Sequence, residues 1–178
     1  FPSGVAGVPA EVIESLSPIV MRRRELRPDS GGAGAWRGGL GQLTEFTRRG
    51  EGAWSVSCIV DRSRYPAPGL LGGKPGAPGE LILGTGERPN PKSLIDLKSD
   101  HVVHLNTPGG GGYGEPFGRG PERVRQDVIE GYVSAEAAAR DYGVVVRFMG
   151  KDDEMVRLPE QWVIDEAATT ELRGRMKG

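Results

Sequence analysis

Residues Asn106 to Arg119 read NTPGGGGYGEPFGR, with four consecutive glycines at Gly109, Gly110, Gly111 and Gly112 and a fifth at Gly114. Two kinds of chemistry suit such a run. Bare N–H groups can cradle a phosphate, or backbones lacking Cβ can approach one another where a side chain would not fit. The phosphate-loop pattern needs G-x-x-x-x-G-K-[ST] between a strand and a helix, and no Lys-Ser or Lys-Thr follows the run. Gly109, Gly111 and Gly114 can be forced onto G-x-G-x-x-G, but the next helix signal comes only at Pro121 and no βαβ pattern surrounds them. The run therefore reads as a turn, or as a backbone-lined wall built with other chain segments.

The remaining reactive residue types are sparse. In HVVH, the strand period of two turns His101 and His104 to opposite faces, so the two cannot share one ion. There is no C-x-x-C, H-E-x-x-H or calcium-loop pattern, and no metal site is expected in this chain. Cys58 falls in phase with Trp54, Val56 and Val60, which makes it a core thiol rather than a nucleophile. Four charged residues are embedded in glycine: Asp29, Arg37, Glu115 and Arg119. They can project from a glycine wall into a pocket or tie loops together by ion pairs. The expected arrangement packs NTPGGGGYGEPFGR against DSGGAGAWRGGLG (29–41), with Arg37, Glu115 and Arg119 near the junction and the bare backbones satisfying one another. Gly111→Val is then expected to destabilise the fold by roughly 1–3 kcal/mol.

The elements that must hold these residues follow from periodicity. EVIESLSPIVM suits a short helix up to Pro18 or an extended run, with extended structure favoured from Ile19 to Leu26. QLTEFTRR, AWSVSCIVDR (Ala53 to Arg62), ELILG and HVVHLN (His101 to Asn106) read as strands, separated by the punctuated loop PAPGLLGGKPGAPG. After the glycine run the period changes. Pro121 opens an amphipathic helix with Val124, Val128, Ile129 and Tyr132 on one side, and Ser134 and Gly143 cap AEAAARDY. VVVRFM reads as a buried strand, and EQWVIDEAATTELRGRM as a closing helix carrying Val163, Ala167, Leu172 and Met176. The fold class is α+β. A β-rich body of short, mainly antiparallel strands with Gly/Pro-rich loops (1–120) precedes two or three helices and one late strand (121–178), all in one domain.

Composition bounds the partners. Lys and Arg number 23 against 24 Asp and Glu, for a net charge of −1, so no field draws the chain to nucleic acid or an anionic membrane. RRRELR is broken by Glu25 and lacks aromatic company, and reads as a solvated strand or turn. One cysteine excludes an intrachain disulfide and suits a reducing compartment, which makes the cytoplasm the default location. No apolar run approaches the ~20 residues of a membrane span. The chain begins at Phe1 rather than methionine, as a piece of a longer protein does.

Six ordered blocks carry a resemblance: FPSGVAGVPAEVIES, RELRPDSGGAGAWRGGLGQ, GLLGGKPG, TPGGGGYGEP with Arg119, PERVRQDVIEGYVSAEAAARDYGVVV and VIDEAATTELR. Together they resemble the hydantoinase B/oxoprolinase family over nearly the whole chain. The resemblance implies a subunit or domain of ATP-dependent enzymes that open cyclic amides such as hydantoins and 5-oxoproline, with relatives that carboxylate ketones. It implies a hydantoinase A-type partner that handles ATP, phosphorylating a carbonyl oxygen so that the amide carbon is open to attack. Family members run to several hundred residues, and this chain looks like their C-terminal portion. A divalent metal would belong to the upstream part, and no family catalytic residue maps onto a position here. The α-type subunit of a ketone carboxylase and a non-catalytic assembly module are the alternative readings.

Overall fold

The structure is a computed structural model and describes residues 7–151 and 154–177. The opening FPSGVA of the first family block lies outside the described residues. Two compact units interleave along the chain. One comprises Phe1–Glu25, Gln42–Asp61 and Glu80–Thr107, and the other Leu26–Gly41, Arg62–Gly79 and Pro108–Gly178.

The first unit is the β-rich one. A short helix α1 (Ala10–Leu16) ends where Pro18 forces Ser17 into extended backbone, φ −144° and ψ 159°. The strands are β1 (Ile19–Leu26), β2 (Gln42–Arg48), β3 (Trp54–Ser57), β4 (Glu80–Leu83), β5 (Leu94–Leu97) and β6 (Val102–Asn106). Four of them form a sheet in the order β1-β2-β6-β4, and β3 pairs with β5 in a separate ribbon. β6 runs antiparallel to both neighbours, so Val103 stands opposite Phe46 on β2 and Leu83 on β4. Leu81, Leu83, Leu97 and Val103 make a buried cluster, joined by Phe46, Trp54, Val56, Cys58, Ile95 and Leu105. Phe46 and Trp54 meet edge to face at 6.2 Å, the geometry that their ring quadrupoles favour.

Two strand expectations change. The stretch from Ala53 to Arg62 is paired only over Trp54–Ser57, because β5 offers four residues as partner. Beyond it single hydrogen bonds continue, from Cys58 N to Ser93 O at 3.3 Å and from Val60 N to Pro91 O at 2.9 Å, and burial keeps alternating through Val60. β5 itself, LIDL, was not anticipated from its short apolar content. Cys58 packs on the core as expected, and burial pushes its thiol pKa up.

The second unit holds the helices α2 (Pro121–Ile129), α3 (Ala135–Tyr142) and α4 (Glu166–Lys177), with the late strands β7 (Val146–Phe148) and β8 (Trp162–Ile164). Pro121 occupies the first turn of α2, where no intrahelical donor is required. Ser134 Oγ accepts from Ala137 N at 3.0 Å, and Gly143 closes α3 at φ 62°. Val124, Val128, Val133, Ala137, Ala138, Tyr142, Val144 and Val146 form the core with Ala33.

The closing helix is shorter than its periodicity suggested. Trp162, Val163 and Ile164 pair antiparallel with β7, which suits residues that are β-branched or aromatic. Asp165 Oδ1 then accepts from Ala168 N at 3.0 Å and starts α4 one residue later. The expected stripe of Val163, Ala167, Leu172 and Met176 is therefore not a face. Ala167 and Met176 are exposed, and the inward position belongs to Thr169, whose Oγ1 accepts from Val145 N at 3.0 Å.

Candidate functional site

Three glycine-dense segments of the second unit, 29–41, 66–79 and 108–119, lie against one another backbone to backbone. Gly32 N donates to Gly110 O at 2.8 Å and Gly110 N to Gly39 O at 2.9 Å. Gly112 N donates to Lys74 O at 2.9 Å, Lys74 N to Ala33 O at 2.7 Å and Leu70 N to Gly112 O at 2.9 Å. Tyr113 exchanges both bonds with Trp36, at 2.9 and 3.0 Å, and Gly114 N reaches Leu70 O at 2.9 Å. A Cβ at Gly109, Gly111 or Gly112 would meet the carbonyl oxygen of Ser30, Pro68 or Ala33 closer than 3.0 Å. Close approach without Cβ is the geometrical need that this run serves.

This packing decides between the two chemistries open to the run. The N–H groups of Gly109, Gly110, Gly112, Tyr113 and Gly114 all donate to carbonyls of the chain itself. They are not available to a phosphate, whose cradle consists of unspent N–H donors. The 66–79 segment, read from sequence only as a long loop, is the third layer and supplies the neighbours of Gly111.

The charged residues set in glycine divide into three places. Arg37 and Arg119 converge on Asp127, a buried carboxylate of α2. Arg119 grips it with two bonds, Nε to Oδ2 at 2.9 Å and Nη2 to Oδ1 at 3.1 Å, and Arg37 Nε stands 3.5 Å from Oδ1. Arg119 also donates to Ala35 O at 3.3 Å, and Arg37 to Gly38 O at 2.7 Å with its guanidinium 5.1 Å from the Tyr132 ring centre. Each arginine thus joins a glycine segment to α2. Glu115 is elsewhere, exposed and lying over Gly72, with no ion pair among the described residues. Asp29 is apart from both, at φ 58°, where its Oδ1 accepts from Ser134 N at 2.7 Å ahead of α3.

Asp127 is the residue that sequence reading missed. It lies between Val124 and Val128 on the inward side of α2, so a carboxylate on the apolar stripe of an amphipathic helix was the signal. Beside it, Tyr142 is 2% exposed and its hydroxyl finds no partner among the described residues. Burial, helped by the charge of Asp127, pushes that phenol up to about 12 against the opposing fields of Arg119 and Arg37.

A cleft of about 250 Å³ opens where the glycine segments meet the end of α3, with Asp29, Gly32, Lys74, Gly76, Arg140 and Asp141 on its walls. Lys74 Nζ donates to Asp141 Oδ1 at 2.9 Å, and Arg140 Nη2 to Oδ2 at 2.6 Å. Burial alone would raise the Asp141 carboxyl, but hydrogen bonds from Arg140 and Lys74 outweigh it and hold it below the usual carboxylate range. Both of these cations are thus paired with the one carboxylate, Asp141. No group of three or more His, Cys, Asp or Glu side chains is placed to hold a metal among the described residues. His104 faces Glu45 at 3.5 Å, while His101 precedes β6 and accepts from Lys98 N at 3.4 Å through Nδ1.

Among the described residues no helix is long and apolar enough to cross a membrane. The chain superimposes on acetone carboxylase with a TM-score of 0.74 at 26% identity, covering 99% of this chain and 27% of that one. The ATP-dependent caprolactamase of Pseudomonas jessenii gives a TM-score of 0.71 at 29% identity, over 93% of this chain and 28% of that one. A protein of Methanocaldococcus jannaschii is 37% identical over 169 residues, 93% of this chain and 28% of its own length. The chain thus spans little more than a quarter of the length of each of these three proteins. The family model described as hydantoinase B/oxoprolinase matches residues 1–116, which takes in all three glycine segments up to Pro116, and the chain belongs to the hydantoinase B/oxoprolinase family.

Proposed function

We propose that this chain is the C-terminal region of a hydantoinase B-type subunit, acting with the rest of that subunit and a hydantoinase A-type partner in ATP-dependent hydrolysis of a cyclic amide. The observation that carries the reading is the likeness to an ATP-dependent caprolactamase over 93% of the chain, since a lactam is a cyclic amide. The spent N–H groups of the glycine run support a division of labour in which ATP is handled by the partner and this chain binds no nucleotide. A divalent metal, where one is used, belongs to the remaining part of the subunit. Within the chain, Arg37 and Arg119 act as ties between glycine segments and α2, with Asp29 holding the start of α3 and Glu115 left at the surface. The single thiol fits a cytoplasmic setting.

A second reading, the α-type subunit of an ATP-dependent ketone carboxylase, is favoured by the acetone carboxylase likeness at a TM-score of 0.74. The complete assembly separates the two. With ATP present, ring opening of a lactam, hydantoin or 5-oxoproline is expected; bicarbonate-dependent carboxylation of acetone without ring opening assigns the second reading instead. Calorimetric titration of the isolated chain with ATP is expected to give no appreciable heat of binding, and tight binding overturns the division of labour.

A further inference from the structure

The turn from Leu70 to Gly73 carries an apolar side chain, Leu71, that the described residues leave largely uncovered. Gly73 N donates to Leu70 O at 3.0 Å, and both central residues have positive φ, 49° at Leu71 and 89° at Gly72. A tight turn of this kind favours Gly, Asn or Asp at its first central position, because a larger L side chain is crowded there. Leu71 nonetheless occupies it with 73% of its surface exposed. Strain held in a non-glycine residue with little packing among the described residues to offset it points to a use outside the chain.

The turn does not stand alone. Leu70 bridges Tyr113, and Tyr113 bridges Trp36, so the three side chains stand side by side on one face of the glycine segments. Their exposures are 63, 50 and 62% for Leu70, Tyr113 and Trp36. Charged groups border them: the Arg123 guanidinium lies 5.4 Å from the Trp36 ring centre, and Glu115 covers Gly72. An apolar centre with aromatic members and a charged edge is the anatomy of a protein contact. It also exceeds the scattered single apolar residues of an ordinary surface. The chain spans 28% of the caprolactamase that it matches, so most of a family subunit lies outside it and is available as the occupant.

We propose that Trp36, Leu70, Leu71 and Tyr113 form the docking face for the remaining polypeptide of a hydantoinase B-type subunit, with Leu71 as its inserted knob. The proposal rests on the reading that this chain is one region of a longer subunit. The test co-expresses the tagged chain with that remaining polypeptide from the same genome as a separate piece, and measures capture, affinity and melting temperature. Leu71→Asn suits the turn, so it is expected to melt at or above the parent while affinity falls at least tenfold. Trp36→Ala is expected to lose at least tenfold as well, and Ile59→Asp, a substitution at a residue of the other unit that is 80% exposed, to bind like the parent. Parent-like binding by both Leu71→Asn and Trp36→Ala overturns the docking face and leaves the longer-subunit reading standing. No capture by the parent chain overturns that reading and the proposal with it. A dimer of the chain that Leu71→Asn dissociates makes a second copy the occupant, and overturns the proposal too.

Discussion

Gly111→Val measures whether the glycine run is structural. A Cβ at this position would meet the Pro68 carbonyl oxygen, with the carbonyl carbon at 2.6 Å and Gly69 N at 3.1 Å. All three are backbone atoms, so no side chain can swing aside. Gly111 is absent from the residues with positive φ, so the cost comes from crowding rather than from its own dihedral. Forcing bulk into a packed site costs about 1–3 kcal/mol. Parting the segments also stretches, without breaking, the bonds from Leu70 N to Gly112 O and from Gly114 N to Leu70 O, which forfeits about 1 kcal/mol between the two. Together these give a destabilisation of about 2–4 kcal/mol, at or above the upper part of the range expected from sequence. For a chain of this length that corresponds to a fall in melting temperature of roughly 5–15 °C. Gly39→Ala is the control, because a Cβ there meets nothing within 4 Å, and it should stay within about 0.5 kcal/mol of the parent or gain slightly. Thermal and urea unfolding followed by circular dichroism give both values. A Gly111→Val chain that melts within a degree or two of the parent refutes the backbone-packing account, and so does a Gly39→Ala chain that falls as far.

Three further outcomes follow from the charged and buried groups. Asp127→Ala leaves Arg119 and Arg37 without their counter-charge and should cost about 3–5 kcal/mol in urea unfolding, whereas Glu115→Ala should leave the midpoint unchanged; equal effects would contradict the assignment of Asp127 as the tie. Tyr142 is neutral in the fold, so its contribution to stability is complete below pH 10 and is lost as the pH rises toward about 12. Tyr142→Phe should accordingly remove the highest-pH step of the phenolate absorbance titration at 295 nm, and an unchanged profile would show the phenol to be solvated. Asp141 has a folded pKa below its ordinary 3.8, so its ion pairs contribute stability above that pH and lose it as the pH falls through the lowered value. Asp141→Asn should flatten that part of the acid-unfolding curve, and a curve of parent shape would refute the linkage.

The sequence by itself determined what depends on neighbours a few residues away. Ser134 and Gly143 bound α3 because a cap oxygen and a left-handed residue act within one turn. Pro18 and Pro121 set an end and a beginning by their own rings, and the alternation of Trp54, Val56, Cys58 and Val60 showed which face is inward wherever the chain is extended. The glycine run was legible as a place where backbones approach. Which backbones they are was not, because the contact of Gly111 with Pro68 closes a loop of some forty residues, and nothing local to either position encodes the other. Tertiary structure likewise decided that Trp162–Ile164 extend as a strand, since their helical period was overruled by a ladder with β7. It placed Asp127 between two arginines that lie ninety and eight residues before it, an ion pair whose worth depends on burial that only the assembled fold provides.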